Sequence, residues 1–151
     1  TDIIRRKTAS LFEGIAVLAA GLRRPAPPET GEAFRRFGRD FGMIFQVSDD
    51  LLDIFSQRSG KGRFQDLKEG KVTLPYIRLI AGGGLKLMRS FDPDRPEPLL
   101  ELCRRLGVRA QSLAVVDRHA RRCRQFLRRF PPSPERDSLA GLMDFIRRRE
   151  Y

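Results

Sequence analysis

The chain has no tryptophan, one histidine, two cysteines and two tyrosines among its 151 residues. With no second histidine to partner it, His119 offers neither a metal site nor a catalytic dyad, which leaves it a surface or packing role. Cys103 and Cys123 stand twenty residues apart with no Cys-x-x-Cys spacing. That excludes the usual zinc and redox signatures and predicts two buried reduced thiols, as in a cytoplasmic protein. The longest apolar run, Gly14 to Leu22, is too short to span a bilayer. No signal peptide is recognisable at the start.

Lysine is also scarce. Only five of the thirty basic residues are lysine, and the net charge is +11. Such a surplus favours anionic partners: nucleic acid, a membrane surface or phosphorylated substrates. It does not choose among them. The length suffices for one hydrophobic core.

In order, the chain reads as helices. Residues 2–22 read as one helix, with Leu11, Ile15, Leu18 and Leu22 recurring at helical spacing and Ala16, Ala19, Ala20 and Gly21 small enough to admit a neighbour. Arg23 to Gly31 is proline-rich and breaks it. A second helix runs from Glu32 to Ser56, with Phe34, Phe37, Phe41, Ile44, Ser48, Leu52 and Phe55 as its core stripe. Gln57 to Gly70 is a charged, glycine-rich loop of the kind that carries function. Thr73 is placed to cap a third helix with Pro75 in its first turn, ending at Ala81 before three glycines. Asp92 to Pro98 is an exposed turn. Helices follow over Glu97–Leu106 and Arg109–Arg129, the latter with Leu113, Val116, Ala120, Cys123, Leu127 and Phe130 inward. A last helix starts at Ser133-Pro134-Glu135, with Leu139, Leu142, Met143 and Ile146 inward. The arginine runs at 104–105, 121–124, 128–129 and 147–149 read as solvated faces. No strand pattern is long enough to assign.

One stretch of the second helix stands apart. Gln46, Asp49, Asp50 and Asp53 follow at spacings of three, four and seven from the first, so all four share a helical face. Asp is a poor helix former, and like charges four apart repel. Hard oxygen donors on a rigid helix suit Mg²⁺, which favours one or two carboxylates completed by water and phosphate oxygens. A solvated acidic face is the plain alternative.

Downstream lie Gly60-Lys61 and then Asp66-Leu67-Lys68-Glu69-Gly70-Lys71-Val72-Thr73-Leu74-Pro75; upstream lies Lys7-Thr8-Ala9-Ser10. Acids and lysines together suggest a diphosphate held between metal ions and ammonium groups. With Phe45-Gln46-x-x-Asp49-Asp50-x-x-Asp53, these segments resemble the C-terminal half of a trans-type prenyl diphosphate synthase, from residue 1 to the end. The resemblance implies an all-α helical bundle of the isoprenoid synthase type, C-terminal half only, and an intact enzyme that joins isopentenyl diphosphate to an allylic prenyl diphosphate. It implies Mg²⁺ as cofactor, a homodimer when intact, and product release towards a membrane surface.

The resemblance also implies roles. Asp49 would bind Mg²⁺, with Asp50 and Asp53 holding its waters. Lys7 and Lys61 would contact the allylic diphosphate, and Lys71 would close over it. Gln46, with the Thr8 backbone oxygen, would face the allylic cation; Phe45 would sit beside the isopentenyl unit. Two departures are visible. Phe64 stands where the family's Gly-Lys-x-x-Gly-x-Asp pattern has glycine, so a positive φ there would be strained. The family's first Asp-rich motif and its isopentenyl-binding basic residues are not in this sequence.

The first residue is threonine and the opening already reads as helix, so the N-terminal side is expected to be cut or processed. The 151 residues are expected to be the C-terminal part of one synthase domain and inactive alone. The long-chain members of the family are the nearest in overall pattern. Two other readings compete. A non-catalytic partner subunit would be indifferent to loss of Asp49. A nucleic-acid module rests on charge alone, and no recognition motif supports it, so no nucleic acid is expected.

Overall fold

The computed structural model describes residues 5–22, 28–56 and 63–148. All regular structure among them is helical. A π-helical turn, Arg5–Ala9, leads into α1 (Ser10–Gly21). Then come α2 (Pro28–Phe55), α3 (Gln65–Lys68), α4 (Leu74–Ala81), α5 (Leu85–Arg89), α6 (Glu97–Arg105), α7 (Val108–Leu127) and α8 (Pro134–Arg147). The chain forms two compact units: one from the residues up to Gln46 and from Val115 to Arg148, the other from Val47 to Ala114. Both α2 and α7 contribute to each.

The first unit is built on aromatic rings. Phe37 stacks on Phe126 with centroids 4.8 Å apart, and Phe34 meets Phe126 edge-on at 5.1 Å. Phe12 lies 5.5 Å from Phe41. The buried side of α1 is its alanine side, Ala16 and Ala20. Leu11, Ile15, Leu18 and Leu22 are 55–88% exposed among the described residues. The leucine stripe is therefore not the packed face of α1. Alanines allow close approach, whereas a β-carbon on Gly21 would meet nothing within 4 Å. On α8, Met143 and Ile146 are buried as expected, but Leu139 and Leu142 are 38% and 46% exposed.

Charge pairs tie α7 to its neighbours, which corrects the reading of the arginine runs as merely solvated. Arg124 binds Asp144. Arg147 donates to Asp117 at 2.5 Å. His119 meets Asp40 at 2.6 Å, a packing role rather than a metal site. Among the described cysteines both are free and buried. Burial pushes the Cys103 thiol up to about 11, and Cys123 higher still, so both are poor nucleophiles.

In the second unit, Ile54, Phe64, Tyr76, Leu79, Met88, Leu99, Leu100, Cys103 and Val108 form one buried cluster. Helix α2 enters it through Ile54, beside the expected stripe: Val47, Leu51 and Ile54 are fully buried, whereas the stripe residues Leu52 and Phe55 are half-buried, Phe55 packing against the cluster. Start signals fared unequally. Ser133 caps α8, its Oγ accepting from the Arg136 N–H at 3.2 Å. Thr73 occupies the cap position of α4 in extended conformation, but its side chain makes no capping bond. The α2 helix begins at Pro28, within the stretch expected to be a connector, because proline suits a first helical position. The π turn replaces plain α-helix at 5–9, and α5 was not expected.

Candidate active site

The last turns of α2 give three aspartates three environments. Asp49 is exposed, and its side chain makes no hydrogen bond or ion pair among the described residues. Asp50 is buried, at 1% exposure. Asp53 is half-buried, and its Oδ2 accepts from the Tyr76 hydroxyl at 2.9 Å. Both Asp53 oxygens also accept from the backbone N–H of Asp66, at 3.2 and 3.3 Å. Burial raises the Asp53 pKa above the ordinary carboxylate value of 3.8, and the donors from Tyr76 and Asp66 oppose that rise without reversing it. The phenol of Tyr76 is pushed well up by burial and by the Asp53 carboxylate, so it keeps its proton as a donor.

The segment after the loop is pinned to the same place. The N–H of Phe64 donates to the Asp53 carbonyl at 2.9 Å. Phe64 has φ 61°, ψ 32°, so the left-handed conformation expected from the glycine pattern is adopted by a phenylalanine. Its ring is fully buried, 5.0 Å from Phe91 and 6.5 Å from Tyr76. Gly70, at φ 71°, turns the chain so that the Lys71 N–H reaches the Asp66 carbonyl at 2.8 Å. The Lys71 ammonium lies 2.5 Å from Glu69 and 3.3 Å from Asp66, and these bonds raise its pKa. Lys61 lies outside the described residues.

In the first unit, Thr8 and Gln46 are brought together. The Thr8 hydroxyl donates to Gln46 Oε1 at 2.5 Å. Lys7, beside Thr8 on the π turn, is exposed. Phe45 packs on Phe12 with centroids 5.7 Å apart. What lets the π turn and α1 sit this close to α2 is glycine. A Cβ on Gly42 would stand 2.6 Å from the Ala9 Cα, and one on Gly38 would stand 2.9 Å from the Glu13 Cα.

Whether the acidic turn suits magnesium is decided by its donors. Among the described residues no three potential ligands converge on one point, so this turn does not build an all-protein cage. An open carboxylate one turn from a carboxylate already serving two donors suits a hard cation of another kind. Such a cation takes one carboxylate directly and completes its shell with water and phosphate oxygens. Magnesium fits that description.

The sequence profile of the polyprenyl synthetase family matches residues 1–89. The chain belongs to the polyprenyl synthetase family. It is 31% identical to the octaprenyl diphosphate synthase of Escherichia coli over 93% of this chain and 46% of that protein. It is 30% identical to component 2 of the heptaprenyl diphosphate synthase of Bacillus subtilis, over 98% of this chain and 44% of that protein. The structure resembles the geranylgeranyl pyrophosphate synthase of Corynebacterium glutamicum, solved with calcium and isoprenyl diphosphate. The TM-score is 0.79 at 33% identity, over 97% of this chain and 48% of that one. The chain spans about half the length of the curated relatives it matches.

Within this polyprenyl synthetase segment, Tyr76, Gly38 and Gly42 escaped sequence reasoning. Tyr76 follows the Thr-Leu-Pro helix start and was not singled out. The glycines sit on the aromatic stripe of α2 four apart, a spacing that was readable as a close helix contact.

Proposed function

We propose that this chain carries the second aspartate-rich part of a polyprenyl diphosphate synthase active site. The intact enzyme ionises an allylic prenyl diphosphate and adds isopentenyl diphosphate to it. The observation that carries the reading is the acidic turn of α2, with Asp49 open and Asp53 held by Tyr76 and Asp66, in a chain of this family. Relatives that make octaprenyl and heptaprenyl products support the long-chain end of the range.

Magnesium, when bound, would supply positive charge to a departing diphosphate. Asp49 would hold it directly; Asp50 and Asp53 complete the acidic face, with Asp53 oriented towards bound water. Lys7, Lys61 and Lys71 hold diphosphate oxygens as compact point charges. The allylic carbon–oxygen bond breaks with its electron pair going to diphosphate. The isopentenyl double bond then supplies the pair for the new carbon–carbon bond, and the proton lost goes to the released diphosphate. Gln46 and Thr8 present oxygen to the developing cation, and Phe45 lies beside the isopentenyl unit. Such a cation survives only where water is kept from it.

The test is Asp49→Asn in the intact protein, assayed with labelled isopentenyl diphosphate and an allylic primer. The expected result is a fall of about 100-fold in kcat/KM. Unchanged turnover would overturn the reading and favour a non-catalytic subunit. The same reading makes the intact enzyme a cytoplasmic homodimer, checked by light scattering and fractionation. Its arginine faces would meet anionic lipid as product leaves, checked by vesicle sedimentation. Among the described residues no helix is long and apolar enough to cross a membrane.

A further inference from the structure

Asp53 is engaged from outside its own helix. Its hydrogen-bonding partners come from two different downstream segments, thirteen and twenty-three residues along the chain. A carboxylate has about four lone-pair positions. Three of the contacts on Asp53 are taken by the Asp66 amide and the Tyr76 hydroxyl. What remains can accept from a metal-bound water in a fixed direction, but it is poorly placed to clasp a cation with both oxygens. Asp49, one helical turn earlier, is open.

We propose that Tyr76 is a positioning residue of the diphosphate-metal site: its hydroxyl holds Asp53 as an outer-shell acceptor and leaves direct ligation to Asp49. The proposal rests on the prenyl-elongation reading above. Tyr76 can do this because its ring cannot turn away. It is fully buried, as is Phe64, whose ring stands 6.5 Å from it and is itself backed by Phe91. The same arrangement reaches Lys71. Asp66 gives its N–H to Asp53 and accepts the Lys71 N–H on its carbonyl. One residue therefore pins the acidic turn to the lysine segment, and Tyr76 fixes the carboxylate on which that pin closes. Outer-shell partners of this kind set the orientation, and through it the affinity, of a metal site.

The test uses the intact enzyme and Mn²⁺ as probe, followed by paramagnetic resonance in the presence of inorganic diphosphate. Three proteins are compared: wild type, Tyr76→Phe and Asp49→Asn. Tyr76→Phe keeps the ring and removes only the hydroxyl. Counted per site, because the first aspartate-rich part of the intact enzyme keeps its own ions, the expected results are a weakening of one Mn²⁺ site by about 10-fold in Tyr76→Phe and the loss of that one site in Asp49→Asn. The Mg²⁺ concentration for half-maximal turnover should rise with the Mn²⁺ dissociation constant while kcat at saturating Mg²⁺ stays near wild type. Wild-type Mn²⁺ affinity in Tyr76→Phe, with the one site lost in Asp49→Asn, overturns the Tyr76 role and leaves the functional reading standing. Binding undisturbed in both variants overturns both. Should Tyr76→Phe fail to fold, the wild type decides by carbon-13 resonance at tyrosine Cζ. The Tyr76 signal moves when Mg²⁺ and diphosphate are added if its hydroxyl senses the site; a signal that stays put overturns the proposal.

Discussion

The backbone N–H of Phe64 donates to the carbonyl of Asp53 at 2.9 Å, from a left-handed residue whose ring is fully buried. A β-carbon at positive φ costs roughly 1–2 kcal/mol. Burying a phenylalanine ring is worth more, about 3–5 kcal/mol when truncated to alanine. The ring therefore holds a backbone conformation that glycine would adopt without strain.

That balance predicts an inverted order of damage. Phe64→Ala loses the ring and keeps the strain. Phe64→Gly loses the same ring and relieves it. Although glycine is the smaller residue, Phe64→Gly is expected to be the more stable variant by about 1 kcal/mol, both lying below wild type. Thermal unfolding of the pair checks this. Equal or reversed midpoints would mean that the φ of residue 64 carries no strain.

Asp53 yields a pH prediction. Its pKa is raised in the folded state, chiefly by burial. Its contribution to stability is therefore full below the unfolded value near 3.8 and is lost as pH rises through the folded value. At neutral pH the charged carboxylate weakens the fold. Asp53→Asn retains an acceptor for the Asp66 amide without the charge. It should melt higher than wild type at pH 7, with the gap closing as pH falls towards 4, while binding of Mn²⁺ with diphosphate weakens. Scanning calorimetry across pH reads the first part. A gap that widens on acidification would show that the carboxylate stabilises the fold instead.

Gly42 sets the distance between α2 and the segment carrying Lys7 and Thr8. A β-carbon there would lie 2.6 Å from the Ala9 Cα, a backbone atom that cannot rotate away. Gly42→Ala is expected to cost about 1–3 kcal/mol, as overpacking does, and to pull Thr8 off Gln46. The intact enzyme should lose turnover beyond what its lowered midpoint explains. Gly21→Ala, where nothing lies within 4 Å, is the control and should be neutral.

How much of this was legible follows from what periodicity encodes. The three-and-four spacing of α2 located a helix whose Phe41, Ile44 and Ser48 are indeed buried. Local chemistry located the Ser133 cap and the proline at the start of α4. Spacing reports that a face is apolar, not that it is covered, which is why Leu139 and Leu142 on α8, read as inward, stand partly exposed, while the small-residue side of α1 is indeed the packed one. The motif residues were readable because their spacing is regular. Their holders were not: Tyr76 meets Asp53 from twenty-three residues away, and Gln46 meets Thr8 across thirty-eight. Contacts at such separations are a property of the packed helices, and a single sequence carries no period for them.

Lys71 provides the last prediction. Its ammonium is held by Glu69 and Asp66, at 2.5 and 3.3 Å, on an exposed turn. On the proposed reading Lys71 must give up those carboxylates to reach a diphosphate, so they would compete with substrate for one cation. Exposed ion pairs are weak and screened by salt, so the competition is modest. Glu69→Gln should tighten inorganic diphosphate binding in the presence of Mg²⁺ by about two- to five-fold at low ionic strength, and by less as salt is raised. Lys71→Ala should weaken it, and the double variant should behave like Lys71→Ala alone if Glu69 affects diphosphate through the lysine. Titration calorimetry on the four proteins measures this cycle. Were Glu69→Gln to tighten binding equally with and without Lys71, the effect would be one of general charge, and Lys71 would not be the group that closes on the diphosphate.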